Sequence, residues 1–364
     1  MTNGSNLKKW LETFKKSLPL FKMKLPFSLK ENIEILRKIT IYRFFNGLKV
    51  VTGFYLSRLL KKPFSWGMPL SISFEPTNLC NLSCPECPTG LKILTRRTGN
   101  ANFHFFTKTI DEIYKSTSYL TLYFQGEPYL NPDFLRMVLY ASQKKMFVLT
   151  STNGHYFTEN NCIETIKSGL SKLIVSIDGT TQDIYETYRS GGKLETVTDG
   201  LRRLVETKKK LKAQHPFIVI QFIVFRQNEH QINDIIKLAE EIGVDHLALK
   251  TAQIYDYEAN KNSIPLNTKY SRYKKQKDGT YKIKNKFYNH CWRSWQSCVV
   301  TWDGQIVPCC FDKDAKYKMG SLKENSFTEI WKSQQMNQFR KKILTARKEI
   351  DICRNCTEGT KIWI

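Results

Sequence analysis

From about residue 70 to residue 250 the chain alternates between two patterns. Short apolar runs at 70–74, 119–124, 146–151, 172–177, 217–225 and 246–250 predict six strands. Between them, stretches such as 133–144, 159–168, 194–212 and 232–242 place apolar residues at helical spacing. Strands that alternate with helices build a parallel sheet with helices outside it. The run PFIVIQFIVF is almost continuously apolar, as expected of a strand covered on both faces. Six such units predict an α/β fold, a partial (β/α)6 TIM-like barrel with chemistry at the C-terminal ends of its strands. An open doubly wound sheet is the alternative, but no glycine-rich dinucleotide fingerprint follows the first strand.

The flanks read differently. Residues 1–66 form a basic amphipathic helical extension, with fourteen Lys or Arg against three Glu. Either its apolar face packs on the main body, or it lies on a membrane surface with its basic face toward lipid phosphates. Residues 67–250 hold the β–α repeat, and the polar, poorly periodic residues 251–288 predict a linker or insertion. Residues 289–364 predict a small cysteine-rich α+β module. There, Asp303-Gly304 between two apolar runs signals a hairpin. Counting outward from a two-residue turn sets Cys298 opposite Cys309 and points Cys310 the other way. Ser326 and Glu329 have capping-box spacing ahead of a further helix.

The net charge is +24, from 57 Lys and Arg against 33 Asp and Glu. Such an excess attracts polyanions: nucleic acid, an anionic membrane face or an acidic substrate. The lysines are scattered, which equally suits a generally basic solvated surface. No apolar signal-peptide core follows the N-terminus, and no run approaches the ~18 apolar residues of a spanning helix. Ten cysteines without an export signal point to reduced thiols and metal sites. The expected location is cytoplasmic, with peripheral membrane contact through residues 1–66 left open.

The stretch CNLSCPEC places Cys80, Cys84 and Cys87 directly after the first strand, at the catalytic end of a barrel. Structural zinc wants four ligands, usually in paired C-x2-C knuckles. Here three cysteines stand together, with no fourth Cys or His within fifteen residues. Three irons of a [4Fe–4S] cluster fit that set and leave the fourth iron open.

CNLSCPEC resembles the CX3CX2C signature of the radical S-adenosylmethionine (radical SAM) superfamily. The resemblance implies that S-adenosylmethionine occupies the open iron and is cleaved reductively to a 5′-deoxyadenosyl radical, which abstracts hydrogen from substrate. Cys80, Cys84 and Cys87 are then the catalytic cluster ligands. Glu86 stands where the family often has an aromatic residue. Gln125-Gly126-Glu127-Pro128 resembles the family's GGEP motif. It implies that Gly126 gives close backbone approach and Glu127 faces the methionyl ammonium. Ser151-Thr152-Asn153-Gly154 and Ser176-Ile177-Asp178-Gly179 resemble segments at the barrel mouth. By that match Ser176 and Asp178 bind the ribose and carboxylate of S-adenosylmethionine. Asn228 is expected to cap the next helix rather than bind ligand; Arg226 reaching a carboxylate at the site is the less favoured alternative.

Cys162 lies in a helical stretch and reads as a small buried apolar residue. In the C-terminal module, spacing alone does not separate zinc from iron–sulfur. Its Gly304-x4-Cys309 element, with Cys291 upstream, resembles the SPASM module or its shortened twitch form. That implies one auxiliary [4Fe–4S] cluster on Cys291, Cys309, Cys353 and Cys356. Cys310 in place of Cys309, or Cys298 in place of one of the four, stays open.

The resulting expectation is an oxidoreductase or maturase that abstracts hydrogen from a peptide or sugar-like substrate. The auxiliary cluster accepts an electron, and a flavodoxin or ferredoxin serves as reductant. Two other readings stand beside it. A zinc-bearing nucleic-acid-binding protein would use the charge and the C-x2-C, but it lacks a recognisable nucleic-acid module. A non-catalytic iron–sulfur carrier would have no use for Glu127.

Overall fold

The structure, a computed structural model, describes residues 26–359. The part of the expected N-terminal extension at 1–25, and the last five residues of the cysteine-rich module, lie outside the described residues. Two N-terminal helices come first, α1 (Phe27–Arg37) and α2 (Ile41–Leu60). The repeat follows as β1 (Ser71–Phe74), α3 (Phe103–Ile113), β2 (Tyr119–Thr121), α4 (Phe134–Gln143) and β3 (Phe147–Thr152). It continues through α5 (Glu159–Lys167), β4 (Lys172–Ser176), α6 (Gln182–Tyr188), α7 (Leu194–Lys210), β5 (Phe217–Val224), α8 (Ile232–Ile242) and β6 (His246–Thr251).

All six strands pair in parallel and in sequence order, β1 through β6. The helices bury one apolar stripe each against the sheet. In α7 this stripe is Leu194, Val197, Leu201, Leu204 and Val205. Helix α3, between β1 and β2, is not among the helical stretches expected from spacing. It has its own signals, since Asn102 accepts from the His104 and Phe105 N–H groups and Phe106, Ile110 and Ile113 fall on its buried face.

The C-terminal module is not a separate layer. Strands β9 (Ser297–Val300), β10 (Gln305–Val307) and β11 (Gly320–Ser321) extend the same sheet beyond β1, giving nine strands in the order β11-β10-β9-β1-β2-β3-β4-β5-β6. β9 runs parallel to β1, with Ile72 opposite Cys298. Between β6 and β9 the expected linker is an ordered insertion. It carries the antiparallel pair β7 (Tyr273–Lys275) and β8 (Tyr281–Ile283), and packs Ala252, Ile254, Ile264 and Tyr273 around Phe225. After β11 come α9 (Phe327–Lys332) and α10 (Gln334–Ala346). The capping box at α9 forms with both bonds, Ser326 with Glu329.

The hairpin register differs from the two-residue count. Val299 faces Val307 and Val300 faces Ile306, which puts Cys298 across from Pro308 rather than Cys309. The turn spends three residues, Trp302 to Gly304. Thr301 N–H donates to Gln305 O at 2.9 Å, and Gly304 takes a φ of +91°. Thr301 Oγ1 donates to Asp303 Oδ1 at 2.5 Å and accepts from Gln305 N–H at 3.0 Å, closing the longer loop. One extra residue in a turn flips every side chain beyond it.

Helices α1 and α2 pack on the barrel's N-terminal end. Phe27 stacks on His246 at 4.5 Å, and Glu31 pairs with Lys172 at 2.8 Å. Ile35 joins Phe147 and Leu149 in a small cluster. From α2, the buried Arg43 guanidinium donates to the carbonyls of Lys38, Tyr114, Lys144 and Lys145. The last three close the C-terminal turns of α3 and α4, where carbonyls lack helical partners.

Candidate active site and cluster centres

The loop that leaves β1 carries Cys80, Cys84 and Cys87, and its two ends are pinned. Glu75, fully buried, holds Arg96 through two bonds of 2.5 Å. Asn78 donates to Arg97 O at 2.9 Å and accepts from Gly99 N–H at 2.9 Å across the loop's neck. Inside the loop the backbone folds tightly. A Cβ on Gly90 would stand 2.5 Å from Cys84 N. Cys84 is buried, whereas Cys80 and Cys87 are half-buried. Burial pushes the Cys80 thiol up to about 11, and Glu127, Cys84 and Cys87 add to the rise. The three thiols therefore lie within one another's field.

The loop after β2 meets this one backbone to backbone. Glu127 N–H donates to Leu79 O at 2.7 Å. Gly126 has φ +78°, and a Cβ there would stand 2.6 Å from the Leu79 and Thr77 carbonyl oxygens. No side chain fits, so glycine is required on both counts. Glu127 is buried and accepts from Thr152 Oγ1 at 2.7 Å, Asn153 N–H at 2.7 Å and Tyr129 N–H at 3.2 Å. Burial nonetheless pushes its carboxyl up to about 7. Asn153 in turn donates to Asn81 Oδ1 at 2.7 Å, inside the cysteine loop. The segment after β3 thus positions both Glu127 and the thiols.

Ser176 ends β4 and is buried. Asp178, fully buried, accepts from Ile223 N–H at 2.6 Å and from Arg189 Nε and Nη2 at 2.6 Å each. Arg189 also hydrogen-bonds the Cys84 thiol, opposing the upward push of burial there. Arg189 was not singled out in the sequence. It follows α6, and nothing local in Tyr-Arg-Ser-Gly distinguishes it from a solvated arginine.

One expectation after β5 needs correction. Asn228 does not cap a helix. Its side chain accepts from Phe225 N–H at 2.8 Å and donates to Asp178 O and Ile223 O at 2.9 Å. A short 3-10 turn, Glu229–Gln231, intervenes before α8, so Asn228 folds back to tie β5 to β4. Arg226 Nε donates to Ile264 O at 2.9 Å in the insertion, while the Asp178 carboxylate is taken by Arg189.

The second group of thiols lies beyond β10. Cys291, Cys309, Cys353 and Cys356 line one small enclosed cavity together with Arg293 and Arg347. Arg347 Nη2 lies 3.7 Å from Cys356 Sγ, and its Nε is buried with no hydrogen-bond partner among the described residues. A Cβ on Gly359 would stand 2.3 Å from Cys291 Sγ. A four-thiol pocket with a glycine cradle and an unsatisfied guanidinium N–H fits an anionic iron–sulfur cluster. Among the described residues, no three Cys, His, Asp or Glu side chains converge closely enough to hold a single metal ion.

Cys298 does not line this cavity. It is buried, with its thiol pushed up to about 12 by burial and Arg340 opposing the rise. Cys310 does not line that cavity either; its thiol hydrogen-bonds the Cys309 thiol and faces the barrel. There it lines a cavity of about 630 Å3 with Tyr123, Gln125, Arg293 and Lys313. Arg293 lines both cavities, with its Nη1 4.0 Å from Cys310 Sγ. Cys162 is fully buried in α5.

Two family matches cover these two groups of thiols. Residues 74–239 match the radical SAM superfamily, and residues 291–357 match SPASM, an iron–sulfur cluster-binding domain. The tungsten-containing aldehyde ferredoxin oxidoreductase cofactor-modifying protein of Pyrococcus furiosus is 25% identical over 317 residues, 78% of this chain and 86% of that protein. BtrN, solved with AdoMet and 2-DOIA, superposes at TM-score 0.50 and 18% identity, over 80% of this chain and 94% of its own. Streptococcus suis SuiB, solved with the precursor peptide SuiA, superposes at TM-score 0.57 and 13% identity, over 81% and 72%. At such identities the two structures speak for the fold. By its two family matches and the thiol groups beneath them, the chain belongs to the radical SAM superfamily, as an enzyme with a C-terminal SPASM iron–sulfur cluster-binding domain.

Proposed function

We propose that this enzyme oxidises or cross-links a peptide or sugar-like substrate held in the barrel, with an electron leaving through the C-terminal module. The observation that carries the reading is Arg293. It lines the barrel cavity and the four-thiol cavity at once, so substrate and electron acceptor share a wall. Cys80, Cys84 and Cys87 would hold the first cluster; Cys291, Cys309, Cys353 and Cys356 would hold one auxiliary cluster. When bound, the first cluster with S-adenosylmethionine supplies reductive cleavage to an organic radical, and the auxiliary cluster supplies an electron acceptor.

The chain's own residues do the rest. Glu127 offers a buried anion to the methionyl ammonium, and Thr152 and Asn153 fix its orientation. Gly126 lets the backbone approach the thiol loop. Ser176 presents a hydroxyl at the end of β4 for the ribose. Asp178 acts through Arg189, which it orients beside Cys84. Phe27 and Glu31 of α1 line the cavity's far end, which keeps water from entering there. BtrN, solved with 2-DOIA, and SuiB, solved with a precursor peptide, support keeping both substrate classes. A flavodoxin or ferredoxin would deliver the reducing electron.

Iron and sulfide analysis tests the ligand assignment. After anaerobic reconstitution, the parent should carry about 8 irons and a variant lacking Cys80, Cys84 and Cys87 about 4. A triple variant with the parent's iron content would refute the assignment.

A further inference from the structure

Helix α2 has one buried side and, opposite it, an exposed apolar side. One side packs on the barrel through Arg43, Asn46, Val50, Gly53, Phe54 and Ser57. The other carries Ile41, Phe45, Leu48, Tyr55 and Leu59, all exposed, Ile41 at 64% and Leu59 at 76%. Their spacing of 4, 3, 7 and 4 keeps them in one stripe, about 180° around the helix from the buried one. A contiguous exposed apolar stripe of this kind ordinarily marks an interaction surface.

The charge around the stripe says what covers it. No acidic residue lies between Glu34 and Glu75, so Lys49, Arg58, Lys61 and Lys62 in and after α2 have no acidic neighbour along the chain, whereas Arg37 and Lys38 pair with Glu34. A second copy placed face to face would oppose these cations to their own kind. Residues 1–25 carry six lysines and one glutamate and are repelled in the same way. An anionic lipid surface is attracted by every one of these groups. No helix among the described residues is long and apolar enough to cross a membrane. We infer that the outer face of α2 docks the enzyme flat on an anionic membrane surface, with the apolar stripe entering the headgroup–acyl boundary.

The placement leaves the chemistry accessible. Arg43 binds carbonyls just ahead of β2 and β3, so α2 lies at the N-terminal end of the barrel. The cysteine loop leaves the opposite end, and the mouth would face away from the lipid.

Sedimentation with vesicles tests the inference, using the full reconstituted chain. Binding should be at least about tenfold stronger to phosphatidylcholine–phosphatidylglycerol vesicles than to phosphatidylcholine alone, and should weaken as salt is raised. The double variant L48E/L59E should lose at least about tenfold in vesicle binding while keeping its iron content and melting temperature, because both positions are exposed. Equal binding to neutral vesicles, or unchanged binding by the variant, would overturn the inference. So would a concentration-dependent dimer that the same two substitutions dissolve, which would assign the face to a second copy.

Discussion

Glu127 is predicted to cost the empty protein stability and to repay it in cofactor binding, so Glu127→Gln should separate the two. Its carboxyl moves from an ordinary value of 4.5 to about 7 because burial outweighs three hydrogen bonds. A carboxyl whose pKa rises on folding holds its proton more tightly in the folded chain. Its contribution is therefore greatest below about pH 4.5, falls as the pH climbs to about 7, and stays level above. The difference corresponds to roughly 3 kcal/mol, with no discount for solvent because the residue is only 2% exposed. The substituted glutamine never ionises and keeps an oxygen to accept from Asn153 and Tyr129. Without cofactor, E127Q should melt a few degrees above the parent at pH 8 and level with it near pH 4.5. Binding of S-adenosylmethionine should move the other way. Loss of a charged hydrogen bond to the ammonium, about 1.5–3 kcal/mol, weakens it roughly 10- to 150-fold. In the parent, affinity should rise with pH up to about 7 and then flatten. Anaerobic thermal denaturation and isothermal titration across that range read both effects. A parent whose stability is flat from pH 4.5 to 8, or an E127Q variant that binds the cofactor as the parent does, would refute the reasoning.

Other outcomes follow from single contacts. Arg189→Met leaves Asp178 buried without its partner, which should cost about 3–5 kcal/mol by denaturant titration and lower the iron bound at the first cluster. Gly126→Ala places a Cβ 2.6 Å from two carbonyl oxygens at a φ of +78°, so it should abolish cofactor binding by calorimetry and lower the melting temperature. Among the module's cysteines, Cys309→Ala should remove about 4 irons whereas Cys298→Ala and Cys310→Ala should keep them, as read by iron analysis. Arg43→Met frees the carbonyls of Lys38, Tyr114, Lys144 and Lys145, and should lower unfolding stability by about 3 kcal/mol without altering iron content.

Periodicity reported the barrel well because each of its strands is flanked by a helix whose apolar stripe is local in sequence. The α8 pattern ran from Ile232 to Ile242, as the helix does. The first thiol group was legible as a short spacing, whereas the set of four in the C-terminal module was reached only through the family resemblance. Side-chain partners drawn from distant elements were not. Arg189 matters through Asp178, eleven residues away and on the other side of α6, and Arg347 through a cavity built from three separate segments. The hairpin register turned on one threonine. Thr301 bonds Asp303 and lengthens the Asp-Gly turn by a residue, which a count from the dipeptide cannot see. The fusion of β9 to β1 was equally hidden, since strand pairing across more than two hundred residues leaves no local trace.

The most direct test of the central claim is anaerobic. The reconstituted enzyme is given dithionite and S-adenosylmethionine, and 5′-deoxyadenosine is followed beside Cys84→Ala. Product should form with the parent and not with the variant. A fully loaded parent that forms none, and whose cluster EPR signal is unchanged by S-adenosylmethionine, would contradict the claim.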